Sequence, residues 1–163
     1  MKHIKTWHRV FAFVLSCGIG VAATAGEFPQ PRPGLHTGGQ PSEQDLQAFA
    51  AQGVRTVIDL RPDSESRGYE EEAAVKANGM RYRQLPISGA EDLTPANATA
   101  LKQLLAESEG PVLLHCASGN RVGALLALMA QQEEGASREA ALELGRKSGL
   151  KSLEPAVEAR LKP

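Results

Sequence analysis

The residues with the most chemical content form one run, Cys116-Ala117-Ser118-Gly119-Asn120-Arg121, set between a short apolar strand pattern and the start of an apolar helix pattern. A strand–loop–helix junction of this kind curls several backbone N–H groups toward one point, and the helix dipole adds partial positive charge there. Arg121 brings a full charge and a planar fork suited to an oxyanion. The same field stabilises a Cys116 thiolate, the form of cysteine that attacks well, so one loop both binds an anion and arms a nucleophile. Gly119 supplies the positive φ that a tight loop needs, and Ser118 can offer its hydroxyl to the thiolate or to loop amides. His115 directly precedes the nucleophile and is expected mainly to satisfy backbone groups beneath the loop, with tuning of Cys116 as a lesser role. A cysteine that ends a buried strand is often only a small core hydrophobe. That accounts for Val112 to Leu114, but not for a Gly and an Arg placed where an anion loop needs them.

The elements that must carry this loop alternate along the chain. Short strands are predicted at Leu35 to Thr37, Val54 to Leu60, Met80 to Pro86 and Val112 to Leu114. Ser42, with Glu43 and Asp45 behind it, opens a helix that Gly53 stops. A second helix covers Tyr69 to Asn78 with Gly79 as its C-terminal stop, and Thr94-Pro95 starts a third whose apolar stripe is Leu101, Leu104 and Leu105. Val122, Leu125, Leu126 and Met129 recur at helical spacing directly after the cysteine loop, and Arg138 to Ser148 and Leu153 to Leu161 are further helical patterns. Strands alternating with helices define an α/β fold with helices covering a sheet. Arg61 and Asp63 follow a strand on the edge where the cysteine loop opens; they are candidates for the mouth, with surface ion pairing slightly preferred. Tyr69, Glu70, Glu71 and Glu72 read as the solvated start of a helix, and Arg81 and Arg83 as one strand face with no need to touch substrate.

Residues 1–25 have the order of a secretory signal peptide: basic Lys2, Lys5 and Arg9, an apolar stretch from Val10 to Val21, and Ala23-Thr24-Ala25 as the cleavage site. The expected product is periplasmic or secreted, without a retained membrane span. An N-terminal anchor, or lipoprotein processing at Cys17, is the minor alternative. Cleavage leaves 15 basic and 19 acidic residues, a net charge of −4, which disfavours nucleic acid as a partner. It also leaves Cys116 as the sole cysteine, so no internal disulfide is available to it, and one Cys with His36 and His115 makes a poor zinc set. No cofactor is expected. The boundaries are a leader at 26–33, partly mobile, and one domain at 34–163 with its core at about 34–135 and C-terminal helices at 137–162.

Three segments carry a resemblance. Gly38-Gly39-Gln40-Pro41, Val57-Ile58-Asp59-Leu60-Arg61-Pro62 and His115 to Arg121 resemble the bacterial protein-tyrosine-phosphatase-like family, specifically the phosphatase-like domain of β-lactamase-hydrolase-like proteins. The resemblance implies a mostly parallel sheet of four or five strands, flanked by helices, with the cysteine loop after the last strand. It also implies Cys116 and Arg121 as catalytic residues and Ala117 to Asn120 as the anion-binding loop. Working phosphatases of this type have five residues between Cys and Arg, a Ser or Thr after the Arg, and an acid on the loop after the third strand. Here the spacing is four, as in rhodanese-type sulfurtransferases, Val122 follows the Arg, and Gly89 stands near the acid position, with Glu91 and Asp92 as possible general acids. Sulfur transfer through a Cys116 persulfide, from a small sulfane-sulfur donor to a thiol acceptor or cyanide, is therefore the favoured expectation. Hydrolysis of a phosphoester through a Cys116 phosphoenzyme is the alternative, and a non-catalytic module sensing an anion or an oxidant is the third.

Overall fold

The computed structural model describes residues 27–162, so the expected signal peptide lies outside the described residues. Four strands, β1 (Leu35–Gly38), β2 (Thr56–Asp59), β3 (Arg81–Gln84) and β4 (Val112–His115), form one parallel sheet in the order β1-β4-β2-β3. The last strand thus returns to the middle of the sheet. In open α/β sheets ligands bind beyond the carboxyl ends of the strands where the order reverses, and β4 ends there in His115 and Cys116.

The described residues form six α-helices, α1 (Glu43–Ala51), α2 (Glu71–Ala77), α3 (Pro95–Ala106), α4 (Asn120–Glu134), α5 (Arg138–Lys147) and α6 (Glu154–Glu158), of which α5 and α6 pack on α4. Alternation along the pleat divides the two faces. Ile58 and Leu114 join the larger core with Leu101, Leu125 and Leu126, whereas Val57 and Leu113 join the smaller one with Leu46, Phe49 and Val75. Coverage of both faces explains why every residue of β2 and β4 is buried and why Val57-Ile58 and Val112-Leu113-Leu114 run apolar without alternating. The caps follow the sequence. Ser42 and Asp45 form a capping box at α1, and the Thr94 side chain accepts from Asn97 N at the start of α3.

Helix α4 buries ten consecutive residues, Arg121 to Ala130, because it lies between the sheet, α3 and α5. Gly123 permits the closest of these approaches. A Cβ there would lie 2.2 Å from Leu150 N and 2.4 Å from Gly145 O. No helix among the described residues is long and apolar enough to cross a membrane.

Two expectations need correction. Residues 27–33 are tied to β1, since Pro29 O accepts from Thr37 N at 2.9 Å and Phe28 packs edge-on against Phe49. One aromatic ring and one strand edge suffice to hold a segment that composition alone reads as mobile. Helix α2 begins at Glu71 rather than Tyr69, and Glu71 is buried instead of solvated. The reason is a cluster of charges underneath the cysteine loop.

Candidate active site

Cys116 is completely buried at the end of β4, its N–H donating to Gly38 O at 3.3 Å. The loop then turns back over the sulfur. Gly119 takes φ +83°, as expected for a glycine in this place, and its N–H points at Cys116 Sγ from 3.2 Å. That is an amide donor aimed directly at the sulfur.

The Gly38-Gly39-Gln40 segment forms the adjoining wall. Gln40 N donates to Ala117 O at 3.3 Å, Gly39 pairs with Ser118, and a Cβ on Gly39 would come within 3.1 Å of Ala117 O. Ala117 and Ser118 are exposed, so Ser118 contributes its main chain to this pairing. Asn120 is a loop residue by sequence, but its side chain faces away into the α5–α6 connection. Its Oδ1 accepts from Lys151 N at 2.8 Å and Leu153 N at 3.3 Å, and its Nδ2 donates to Ser152 Oγ at 2.8 Å. A Cβ on Gly149 would sit 3.0 Å from Gly119 O. The C-terminal helices therefore brace the cysteine loop from behind.

Arg121 opens α4 and reaches back across the loop. Its Nη1 donates to Ile87 O at 2.8 Å and to Glu65 Oε1 at 2.5 Å, and its Nη2 donates to Glu65 Oε2 at 2.8 Å. The Arg121 hydrogen bond holds the Glu65 carboxyl below its usual range, with burial opposing only in part. Glu65, on the β2–α2 loop, is the site residue that sequence reading missed. The bond to Ile87 brings the loop after β3 to the rim. On that loop the two acid candidates part company. Asp92 Oδ2 accepts from Ser88 N at 2.6 Å and so serves the loop itself. Glu91 is exposed, and its carboxylate oxygens lie 3.0 and 3.2 Å from where a Cβ on Gly89 would stand. Arg160 Nη2 pins the same loop through Ala90 O at 2.7 Å.

Beneath the loop lies the buried polar cluster. Asp59 ends β2, and its Oδ1 accepts from Arg61 N at 2.8 Å and Arg61 Nε at 3.0 Å. Its Oδ2 accepts from Arg67 Nε at 2.9 Å and Tyr82 Oη at 3.0 Å. Arg61 goes on to donate to Glu71 and Gln40. Arg61 is thus a buried structural ion rather than a surface ion pair or a mouth residue, whereas Asp63 stays on the exposed surface, bonded to Gln84. Burial alone would raise the Asp59 carboxyl, but the Arg61 hydrogen bonds and the charges of His115 and Arg61 outweigh it and hold that carboxyl down.

His115 is indeed under the loop, but it faces side chains rather than backbone. Its Nε2 lies 2.8 Å from Glu71 Oε1, off the line of a hydrogen bond, so neither ring nitrogen has an aligned partner. Asp59, Glu71 and His115 bring possible ligand atoms within 4.8 Å of one another. A divalent ion among them would face the guanidiniums of Arg61 and Arg67, which already supply the counter-charge, so the cluster suits a structural role and not a metal. Arg81 pairs with exposed Glu109, away from the loop, as expected.

A parallel α/β sheet with a cysteine–arginine anion loop at the reversal of strand order defines a protein of the tyrosine-phosphatase-like class. Residues 32–133 match the sequence model of the β-lactamase hydrolase-like protein, phosphatase-like domain, and the chain belongs to that family. It is 40% identical over 98 residues to the β-lactamase hydrolase-like protein of Agrobacterium fabrum, covering 58% of this chain and 22% of that one. The chain therefore spans about a fifth of the length of that relative. It is 31% identical over 119 residues to the dual specificity protein phosphatase TpbA of Pseudomonas aeruginosa, covering 72% of this chain and 52% of TpbA.

Among solved structures, a presumed phosphatase of Neisseria meningitidis superposes with a TM-score of 0.69 at 23% identity, over 81% of this chain and 94% of the other. TpbA of P. aeruginosa in complex with phosphotyrosine gives a TM-score of 0.63 at 24% identity, over 85% of this chain and 89% of the other. These likenesses establish the fold.

Proposed function

We propose that the chain is a cysteine-dependent group-transfer enzyme whose favoured reaction is sulfur transfer through Cys116. One observation carries the choice: three of the four positions that could help phosphoester hydrolysis offer no free group. Gly89 has no side chain, Asp92 is bound to Ser88 N, and the residue after Arg121 is the buried Val122. Sulfur transfer needs no such acid, because a thiolate or sulfite leaves without being protonated. The Cys116 thiolate attacks the outer sulfur of thiosulfate or the terminal sulfur of a persulfide, the S–S bond breaks, and sulfite or a thiolate departs with the electron pair. Cyanide or an acceptor thiolate then takes the sulfur from the Cys116 persulfide, and the thiolate returns. The Gly119 N–H and Arg121 stabilise negative charge on the sulfurs at each stage.

Phosphomonoester hydrolysis stands as the second reading, favoured by the Glu91 carboxylate lying over Gly89, where it can protonate a departing alkoxide. TpbA, which is named a dual specificity phosphatase and is solved with phosphotyrosine, adds to its weight. Steady-state turnover of thiosulfate with cyanide, and separately of an aryl phosphate, decides between the two when wild type is compared with Cys116→Ser. The proposal requires Cys116-dependent thiocyanate formation, with aryl phosphate hydrolysis slower. Aryl phosphate turnover abolished by both Cys116→Ser and Glu91→Gln, without thiocyanate formation, overturns it in favour of the second reading. We also propose export, on the pattern of residues 1–25; it requires the mature chain to begin at Gly26.

A further inference from the structure

The motif Gly38-Gly39-Gln40-Pro41 takes no part in the chemistry proposed above, yet it touches the cysteine loop at one particular peptide. Gln40 N donates to Ala117 O at 3.3 Å, and Gly39 lies so close to the same carbonyl that a Cβ there would come within 3.1 Å of it. The Ala117–Ser118 peptide is trans, so its N–H points opposite to its carbonyl. Holding Ala117 O against the wall therefore turns Ser118 N–H away from the wall. That N–H has no main-chain acceptor among the described residues.

The main chain at Gln40 is fixed by its own side chain. Gln40 Oε1 accepts from Arg61 Nη1, and Nε2 donates to Arg67 O at 2.5 Å. Arg61 is held in turn by Asp59 and Glu71. Tyr69 Oη donates to Pro41 O at 2.8 Å and ties down the next residue. The buried cluster thus reaches the wall of the cysteine loop through the Gln40 carboxamide.

We propose that Gln40 is a positioning residue: its carboxamide, anchored on Arg61, fixes the main chain that holds Ala117 O and so aims Ser118 N–H at an anion bound beside Cys116. Two amides then divide the work. Gly119 N–H faces the nucleophilic sulfur, and Ser118 N–H serves the oxygens or outer sulfur of the ligand. The proposal rests on the cysteine loop binding an anion, as both readings above require, and is independent of which reaction follows.

The test is protection of Cys116 from iodoacetamide by inorganic phosphate, with urea unfolding alongside, in wild type, Gln40→Met, Gly39→Ala and Val54→Ala. Gln40→Met keeps the length of the side chain and removes both of its hydrogen bonds. Half-protection should then need roughly tenfold more phosphate, the worth of one hydrogen bond to a charged group. Gly39→Ala leaves Gln40 in place but pushes on Ala117 O from the wall, and should move half-protection in the same direction. Val54→Ala empties buried volume at the opposite end of the sheet, so it should lower stability and leave half-protection at the wild-type value. Half-protection unchanged in Gln40→Met, or moved as far by Val54→Ala, overturns the proposal. Should Gln40→Met not fold, Gly39→Ala decides in the same way. If phosphate does not protect Cys116 even in wild type, the anion-binding reading of the loop fails and the role of Gln40 falls with it.

Discussion

Replacing Glu71 by Ala removes the carboxylate that the buried cluster is built around. The side chain is fully buried, is bonded to Arg61, and lies 2.8 Å from His115 Nε2 and 3.9 Å from Arg67 Nε. Its loss leaves the Arg61 guanidinium, itself 1% exposed, with an incomplete set of acceptors and no route to water. Breaking a buried ion pair by removing one partner costs about 3–5 kcal/mol. Against a total stability of about 5–15 kcal/mol, that is roughly a fifth or more of what holds a domain of this size together. Glu71→Gln keeps the shape and one acceptor, so it should lose less, about 1.5–3 kcal/mol for a bond to a charged group. Urea unfolding followed by circular dichroism reads both values, provided the slope is unchanged between variants. Because the harm is done by the partner left behind, Arg61→Met combined with Glu71→Leu should cost clearly less than the sum of the single changes. A loss below about 1 kcal/mol in Glu71→Ala would refute the reasoning, since it would mean that Arg61 finds new partners and the cluster does not support the loop.

Gly123→Ala places a methyl group against Leu150 N and Gly145 O, backbone atoms that cannot swing aside, so its unfolding free energy should fall by at least about 1–3 kcal/mol in the same titration. Asn120→Ala removes three hydrogen bonds that join the loop to residues 151–153; about 1–3 kcal/mol of stability should go, and kcat should fall more than KM rises, because the loop rather than a substrate contact is loosened. The Asp59 and Glu65 carboxyls are depressed in the folded chain, so their contributions are complete above the ordinary carboxylate range and disappear as pH falls through the lowered folded values. The urea midpoint should therefore drop as pH falls below the ordinary carboxylate range, and this acid sensitivity should be smaller in Asp59→Asn; Glu65, a third exposed, adds little.

What the sequence made legible was local. The cysteine loop, the positive φ at Gly119 and the caps at Ser42 and Thr94 depend on residues a few positions apart, and each is present as expected. The apolar runs Val57-Ile58 and Val112-Leu113-Leu114 of β2 and β4 were equally readable, because both faces of these strands are covered. The losses were long-range. Glu65 meets Arg121 across 56 positions of sequence, and no periodicity marks that meeting. Glu71 stands in a run of acids that resembles a solvated helix start. The available signal was its place four residues before Val75, on the same buried face of α2. Arg61 followed from this, since a buried arginine is recognisable only once its carboxylates are known to be buried too. Asn120 was assigned to the loop by position, but its partners come from beyond residue 133, outside the segment that matches the family.

The most direct test of the account is the mass of Cys116 itself. After brief exposure of the protein to an alkyl persulfide, or separately to an aryl phosphate, and rapid quenching under non-reducing conditions, the peptide containing Cys116 is measured by mass spectrometry. The account predicts one added sulfur atom on Cys116 after the persulfide, lost again on addition of cyanide and absent in Cys116→Ser. An unmodified Cys116 after the persulfide, with a phosphoryl adduct after the aryl phosphate, would contradict it.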